Sequence, residues 1–229
     1  MPRTRIKFCG ITRPQDAVAA VEAGADAIGL VFHPQSPRYL SMERAAEILA
    51  EVPALVTPVG LFVDRTADQV REVAIRLGLR HVQLHGNETP ETVAALRPLR
   101  VIKAVRVENE KLSAALQHWR KARSALQLTN LAALLLETAA TSPDGASGGT
   151  GIENDWTAIA AAQAAGAYND LPPIFLAGGL TPQNVGALVR QLRPYAVDVS
   201  SGIESSKGIK SVEKMNAFAS GVALADSTA

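Results

Sequence analysis

An α/β chain closing as a parallel (β/α)8 barrel is what this sequence predicts, and three observations predict it. Short apolar runs of strand character alternate with helix-like stretches from one end of the chain to the other. Eight such runs can be counted, and most are continuously apolar, as expected of parallel strands covered on both faces. Spread over 229 residues, eight units average about 29 residues each, near the lower end of what the TIM-barrel architecture requires. An open doubly wound sheet is the competing arrangement. It lacks support, because no GxGxxG follows the first strand and KFCGIT does not replace it.

The elements follow in order. Arg5 to Cys9 is the first strand, and Thr12 with Gln15 three residues on has the capping-box pattern of a helix start. Ala27 to Val31 is the second strand, with Ser41 before MERAAEIL opening the next helix. Val56 to Phe62 is the third, and Thr66 with Gln69 repeats the capping-box pattern. His81 to Leu84, Val101 to Val105 and Ala133 to Glu137 supply strands four to six. Ile174 to Ala177 is the seventh, followed by Thr181-Pro182, where proline's missing N–H costs nothing in a first helical turn. Ala196 to Val199 completes the set. No linker divides the chain, so residues 1–229 read as a single domain, with a small polar tail from Ala223 expected to fray. Thr138 to Asn154, rich in Gly, Ser, Thr and Ala, is the one long loop-like stretch, and such loops often cover sites.

Composition excludes several classes of function. With 23 basic and 22 acidic side chains the net charge is +1, which offers no electrostatic basis for binding nucleic acid or an anionic membrane. No apolar run approaches the ~20 residues of a membrane span, and the apolar part of MPRTRIKFCGIT is too short and broken for a signal peptide. A cytoplasmic protein is therefore expected. Cys9 is the single cysteine, which excludes an internal disulfide and a multi-cysteine zinc site.

In a barrel of this kind chemistry sits at the C-terminal ends of the strands. Those ends carry Cys9-Gly10, Arg38 in PQSPRYLS, Asp64, Gln83 with His85-Gly86, Lys103 and Arg106, Glu137, Gly178-Gly179, and Asp198 with Ser200-Ser201-Gly202. The glycine turns AGGLT and VSSGIE follow strands seven and eight, where freed backbone N–H groups hold a phosphate in many barrels. Cys9 reads as a packed core thiol or as a reactive one, and Glu137 as a solvated loop acid or a catalytic one. Facing each other across a barrel mouth, a thiol and a carboxylate can act as base and acid in a proton shift. His85 has a plain reading as a satisfied polar residue, Arg38 as a surface cation, and Asp64 and Asp198 as helix caps. Lys103 either meets an acid or reaches substrate.

Taken together, KFCGIT, GADAIGLVFHPQSPRYLS, VGLFVD, VQLHGNE, VIKAV, GGTG before DW, LAGGLTPQNV and VDVSSGIE with KGIKS resemble the phosphoribosylanthranilate isomerases of tryptophan biosynthesis over nearly the whole chain. The resemblance implies the same barrel fold and an Amadori rearrangement of a phosphosugar, an aminoaldose becoming an aminoketose, with no metal and no cofactor. It makes Cys9 the general base. Arg38 would pair with the anthranilate carboxylate, Ala177 to Leu180 and Ser200 to Glu204 would hold the phosphate, and His85 and Asp198 would line the site. The family includes monomers and homodimers.

One departure stands out. The family's acid is usually an aspartate in a motif like LLLD, whereas this chain reads LLLETAATSPDGASGGTG, and Ile152 follows GGTG where a lysine is usual. Glu137 keeps the carboxyl but moves it outward by one methylene and is the expected acid, with Asp144 in the same loop as the alternative that could swing in. Gly145, Gly148, Gly149 and Gly151 would let that loop close as a lid. The alternatives are the histidine-pathway Amadori isomerase, which resembles a half-barrel duplication with aspartate on strand one, and a phosphosugar-binding barrel without catalysis.

Overall fold

The computed structural model describes residues 3–107, 111–138 and 156–228. Eight strands, β1 (Arg5–Cys9), β2 (Ala27–Val31), β3 (Thr57–Phe62), β4 (His81–Leu84), β5 (Arg100–Val107), β6 (Leu131–Thr138), β7 (Ile174–Ala177) and β8 (Ala196–Val199), form a closed barrel in sequence order. Every neighbouring pair is parallel, and β1 closes the ring by pairing with β8 through Arg5↔Ala196 to Phe8↔Val199. Outside lie α1 (Pro14–Glu22), α2 (Met42–Ala50), α3 (Ala67–Arg76), α4 (Pro90–Ala95), α5 (Leu112–Ala125), α6 (Thr157–Ala164), α7 (Val185–Leu192) and α8 (Val212–Ser227). No helix among the described residues is long and apolar enough to cross a membrane.

The two-residue period of a strand divides the core into two regions. Ile6, Phe8, Ile28, Leu30, Leu134 and Leu136 point outward and pack under the helices in one continuous apolar layer. Val59, Ile102, Ala104, Ala133, Leu135 and Ala177 fill the barrel interior. Cys9, Val31 and Leu61 form a third cluster above them, nearer the C-terminal ends.

Helix starts at Ser41 and Thr66 hold as expected: Ser41 accepts from the Arg44 N–H at 3.2 Å, and Thr66 with Gln69 makes both bonds of a capping box. Others differ. Thr12 does not cap α1; its hydroxyl donates to the Gly208 carbonyl, and the helix starts with Pro14 after an uncapped Arg13. Helix α7 starts at Val185 rather than beside Pro182, because Asn184 folds back to accept from the Thr181 N–H at 2.8 Å and holds residues 182–184 in a turn.

The stretch from Ala223, where a frayed tail is expected, falls within the last helix. Helix α8 continues through Ser227 because Val222 and Ala225 are buried against the barrel, and the Asp226 carboxylate accepts from the Thr4 N–H at 2.7 Å and the Thr4 hydroxyl at 2.8 Å. The eighth unit also carries an addition: a 3-10 turn at Ser201–Ile203 leads into an antiparallel pair, β9 (Glu204–Ser206) and β10 (Ile209–Lys210), before α8.

Candidate active site

Strand parity assembles the site. Lys7 and Cys9 on β1, Gln83 and His85 at the end of β4, Arg106 on β5, Glu137 on β6 and Asp198 with Ser200 after β8 lie on the inward faces of their strands. A cavity of about 390 Å³ opens at their C-terminal ends, lined by Cys9, Arg38, His85, Glu137, Gly178, Gly179, Asp198, Ser200 and Ser201 among others. That volume falls in the range of small-molecule sites. Gly202 supports the wall from outside: a side chain there would collide with the Leu180 carbonyl oxygen, so glycine lets the β8 turn pass against the β7 turn. Gly178 and Gly179 both take left-handed backbone angles, φ 92° and 60°, which turn the chain sharply at the end of β7.

Cys9 is buried, 5% exposed. Burial pushes its thiol up from the usual range, and the Lys7 ammonium opposes that push. Burial also works against charge on Lys7, but Asp198 at 2.6 Å and the Cys9 thiolate outweigh it and raise the Lys7 pKa. Asp198 therefore does not cap a helix; it anchors the cation under the thiol.

At the opposite wall His85 Nε2 lies 3.1 Å from Glu137 Oε2, and His85 Nδ1 lies 2.8 Å from Gln83 Nε2. Burial pushes the Glu137 carboxyl up, yet the His85 hydrogen bond and the charge of Arg106 bring it below the usual carboxylate range. Lys103 faces away from the barrel interior. It donates to Glu88 at 2.9 Å and to the Gly86 carbonyl at 2.7 Å, so of its two readings the acid partner is the one observed. Asp64 also leaves its capping reading: it accepts from the Asn87 N–H at 2.6 Å, while Thr66 caps α3.

Arg38 lines the cavity with its guanidinium clamped by Glu204, Nε to Oε1 at 2.6 Å and Nη2 to Oε2 at 2.8 Å. Lys210 joins at 2.9 Å from Glu204 and 3.0 Å from the Ser200 carbonyl. Glu204 thus serves cations, leaving the Nη1 edge of Arg38 outside the clamp. Sequence reading missed Lys7 and the Glu204–Lys210 pair as structural partners. The K-x-C spacing of β1 was a usable signal for the first, since it puts both side chains on one face. Lys207-Gly208 between short runs signalled the hairpin of the second. Asp144 and the 139–154 part of the proposed lid lie outside the described residues.

Among the described residues no group of three or more His, Cys, Asp or Glu side chains is arranged to hold a metal ion. The family model for N-(5′-phosphoribosyl)anthranilate isomerase matches residues 6–220. This chain belongs to that isomerase family. An N-(5′-phosphoribosyl)anthranilate isomerase of Herminiimonas arsenicoxydans is 43% identical over 98% of this chain and 95% of its own. The phosphoribosylanthranilate isomerase of Thermotoga maritima has the same fold, with a TM-score of 0.82, 37% identity and coverage of 96% of this chain and 98% of its own. Another solved isomerase, in complex with reduced 1-(o-carboxyphenylamino)-1-deoxyribulose 5-phosphate, is 35% identical with a TM-score of 0.78, over 96% of this chain and 98% of its own. The family assignment makes this chain an enzyme, an isomerase built on the (β/α)8 barrel.

Proposed function

We propose that this isomerase converts N-(5-phosphoribosyl)anthranilate to 1-(2-carboxyphenylamino)-1-deoxyribulose 5-phosphate, with Cys9 as general base and Glu137 as general acid. The observation that carries the reading is that one cavity is lined by Cys9, Glu137, Arg38 and both glycine turns. A solved relative holds reduced 1-(o-carboxyphenylamino)-1-deoxyribulose 5-phosphate, whose phosphate and carboxylate are the groups this cavity would receive. Its phosphate would sit on the turns at Gly178-Gly179 and Ser200-Ser201, with Gly202 keeping the two turns together. The anthranilate carboxylate would meet the Nη1 edge of Arg38, which Glu204 holds in place from the other side.

The chemistry divides between the two walls. Glu137 gives a proton to the furanose ring oxygen, and the C1′–O bond breaks to leave a protonated Schiff base. The Cys9 thiolate then takes the C2′ proton, giving an enolamine that tautomerises to the ketone. Lys7 favours the thiolate by facing it with a buried ammonium, while Asp198 keeps that ammonium charged. His85 orients Glu137.

The test follows loss of anthranilate fluorescence on phosphoribosylanthranilate generated in situ. Wild type turns over, Cys9→Ala and Glu137→Gln lose on the order of 10²–10⁴-fold in kcat, and Glu137→Asp retains measurable activity. Full activity in Glu137→Gln would remove the acid assignment. Absence of turnover by folded wild type would remove the reaction.

A further inference from the structure

Gln83 stands behind this acid with half of its amide unused. The side chain is fully buried, its Nε2 meets His85 Nδ1, and its Oε1 has no hydrogen-bond partner. His85 Nε2 in turn meets Glu137 Oε2, so a chain of three residues from two strands ends at the carboxylate. An amide nitrogen only donates. Facing Nδ1, it places the imidazole proton on Nε2, and the Nε2–H donates to a Glu137 carboxylate. In that state His85 has no proton to pass on without becoming an imidazolate. The amide oxygen and nitrogen are nearly the same size, so turning the amide over brings the unpartnered oxygen to Nδ1 without displacing its neighbours. Nδ1 then keeps a proton, and the ring can carry a second one on Nε2.

We propose that Gln83 is a positioning residue for the acid step: its amide oxygen, turned to His85 Nδ1, loads the His85–Glu137 pair with the proton that Glu137 delivers. The inference rests on the reading of Glu137 as the acid. The imidazolium Nε2–H bond breaks as the Glu137 O–H bond forms, and that bond breaks in turn as the proton reaches the substrate ring oxygen. His85 is left neutral with its proton on Nδ1, Glu137 is left a carboxylate, and solvent restores the lost proton. Among the described residues, the charged groups that share a cavity wall with His85 include Glu137 on β6, Arg106 and Lys103 on β5, and Asp64 and Glu88 in the loops after β3 and β4. Lys103 and Glu88 pair with each other, and Asp64 serves the Asn87 N–H. Arg106 lines the same cavity and adds its charge beside Glu137.

The test combines a spectrum with a pH profile. In ¹⁵N-histidine-labelled wild type holding the reduced carboxyphenylamino-deoxyribulose phosphate, His85 is expected to show a protonated Nδ1. A bare Nδ1 with the proton on Nε2 would overturn the proposal, whether or not any variant folds. In Gln83→Glu the alkaline limb of kcat moves up by about one pH unit or more. In Gln83→Leu it moves down, with kcat at pH 8 lower by about tenfold and KM nearly unchanged. Limbs that stay at the wild-type pH in both variants, with Glu137→Gln inactive, overturn the role of Gln83 and leave the acid standing. An active Glu137→Gln instead overturns the acid reading itself.

Discussion

Lys7 on the first strand donates to Asp198 on the last across 2.6 Å, at the seam where the barrel closes, and the two are register partners in the β1–β8 ladder. The pair is buried, with Lys7 only 1% exposed, and it lies beneath the Cys9 thiol. One ion pair therefore joins the first and last barrel strands and sets the charge next to the proposed base.

Replacing Asp198 separates those tasks. Asp198→Asn leaves a buried ammonium without its partner, which is expected to lower stability by about 3–5 kcal/mol, read from urea unfolding at pH 7. The Lys7 pKa is raised in the folded state, so its contribution is fully present below the unfolded lysine value of about 10.4. That contribution is lost as pH rises through the higher folded value, and the gap between wild type and variant should narrow above about pH 10.4.

Lys7→Met tests the cation's effect on the thiol. Burial already pushes Cys9 up, and removing the opposing ammonium pushes it further. The acid limb of kcat/KM should move to higher pH, with activity at pH 7 reduced at least about tenfold and partly recovered in alkaline buffer. An unmoved limb would show that Lys7 does not act on Cys9.

Glu204 ties acid stability to the cavity wall. Burial raises its pKa, but Arg38 and Lys210 overcome this and hold it below the ordinary carboxylate value. Its contribution is present above the unfolded value of about 4.3 and is lost as pH falls through the folded one. Glu204→Gln should therefore be less stable than wild type at pH 7, with the difference shrinking below about pH 4. KM should also rise, because Arg38 loses its bidentate clamp.

Gly202→Ala addresses the contact between the two turns. The added methyl meets the Leu180 carbonyl, a backbone atom that cannot rotate away. We expect weaker binding of inorganic phosphate and of the reduced product analogue by about tenfold or more, with a stability loss of about 1–3 kcal/mol.

Ending the chain before Ala223 removes buried Ala225 and the Asp226–Thr4 bonds. The melting temperature should fall clearly, and Asp226→Ala in the full chain should reproduce part of the fall.

Much of the site was legible because strand ends announce themselves. Cys9, His85, Glu137, Asp198 and both glycine turns follow apolar runs whose limits depend on neighbouring residues. What escaped were partnerships. Nothing near Arg38 indicates Glu204, 166 residues away. Lys103 and Arg106 looked equivalent at the end of one strand, yet opposite parity sends one to Glu88 and the other to the cavity. The Thr12 pattern was sound for a local cap, but the Gly208 carbonyl, brought close by the hairpin after β8, claimed the hydroxyl.

The sequence by itself determined the number and order of the barrel strands, the caps at Ser41 and Thr66, and the positions where chemistry could sit. These depend on periodicity and on hydrogen bonds within a few residues. Only the tertiary structure decided that Lys7 faces Asp198, that Glu204 clamps Arg38, that His85 meets Glu137, and that the last helix runs to Ser227. Those outcomes depend on closing the barrel. Closure brings residues far apart in the chain into a low-dielectric interior, where a buried charge or hydrogen-bonding group is costly without a partner.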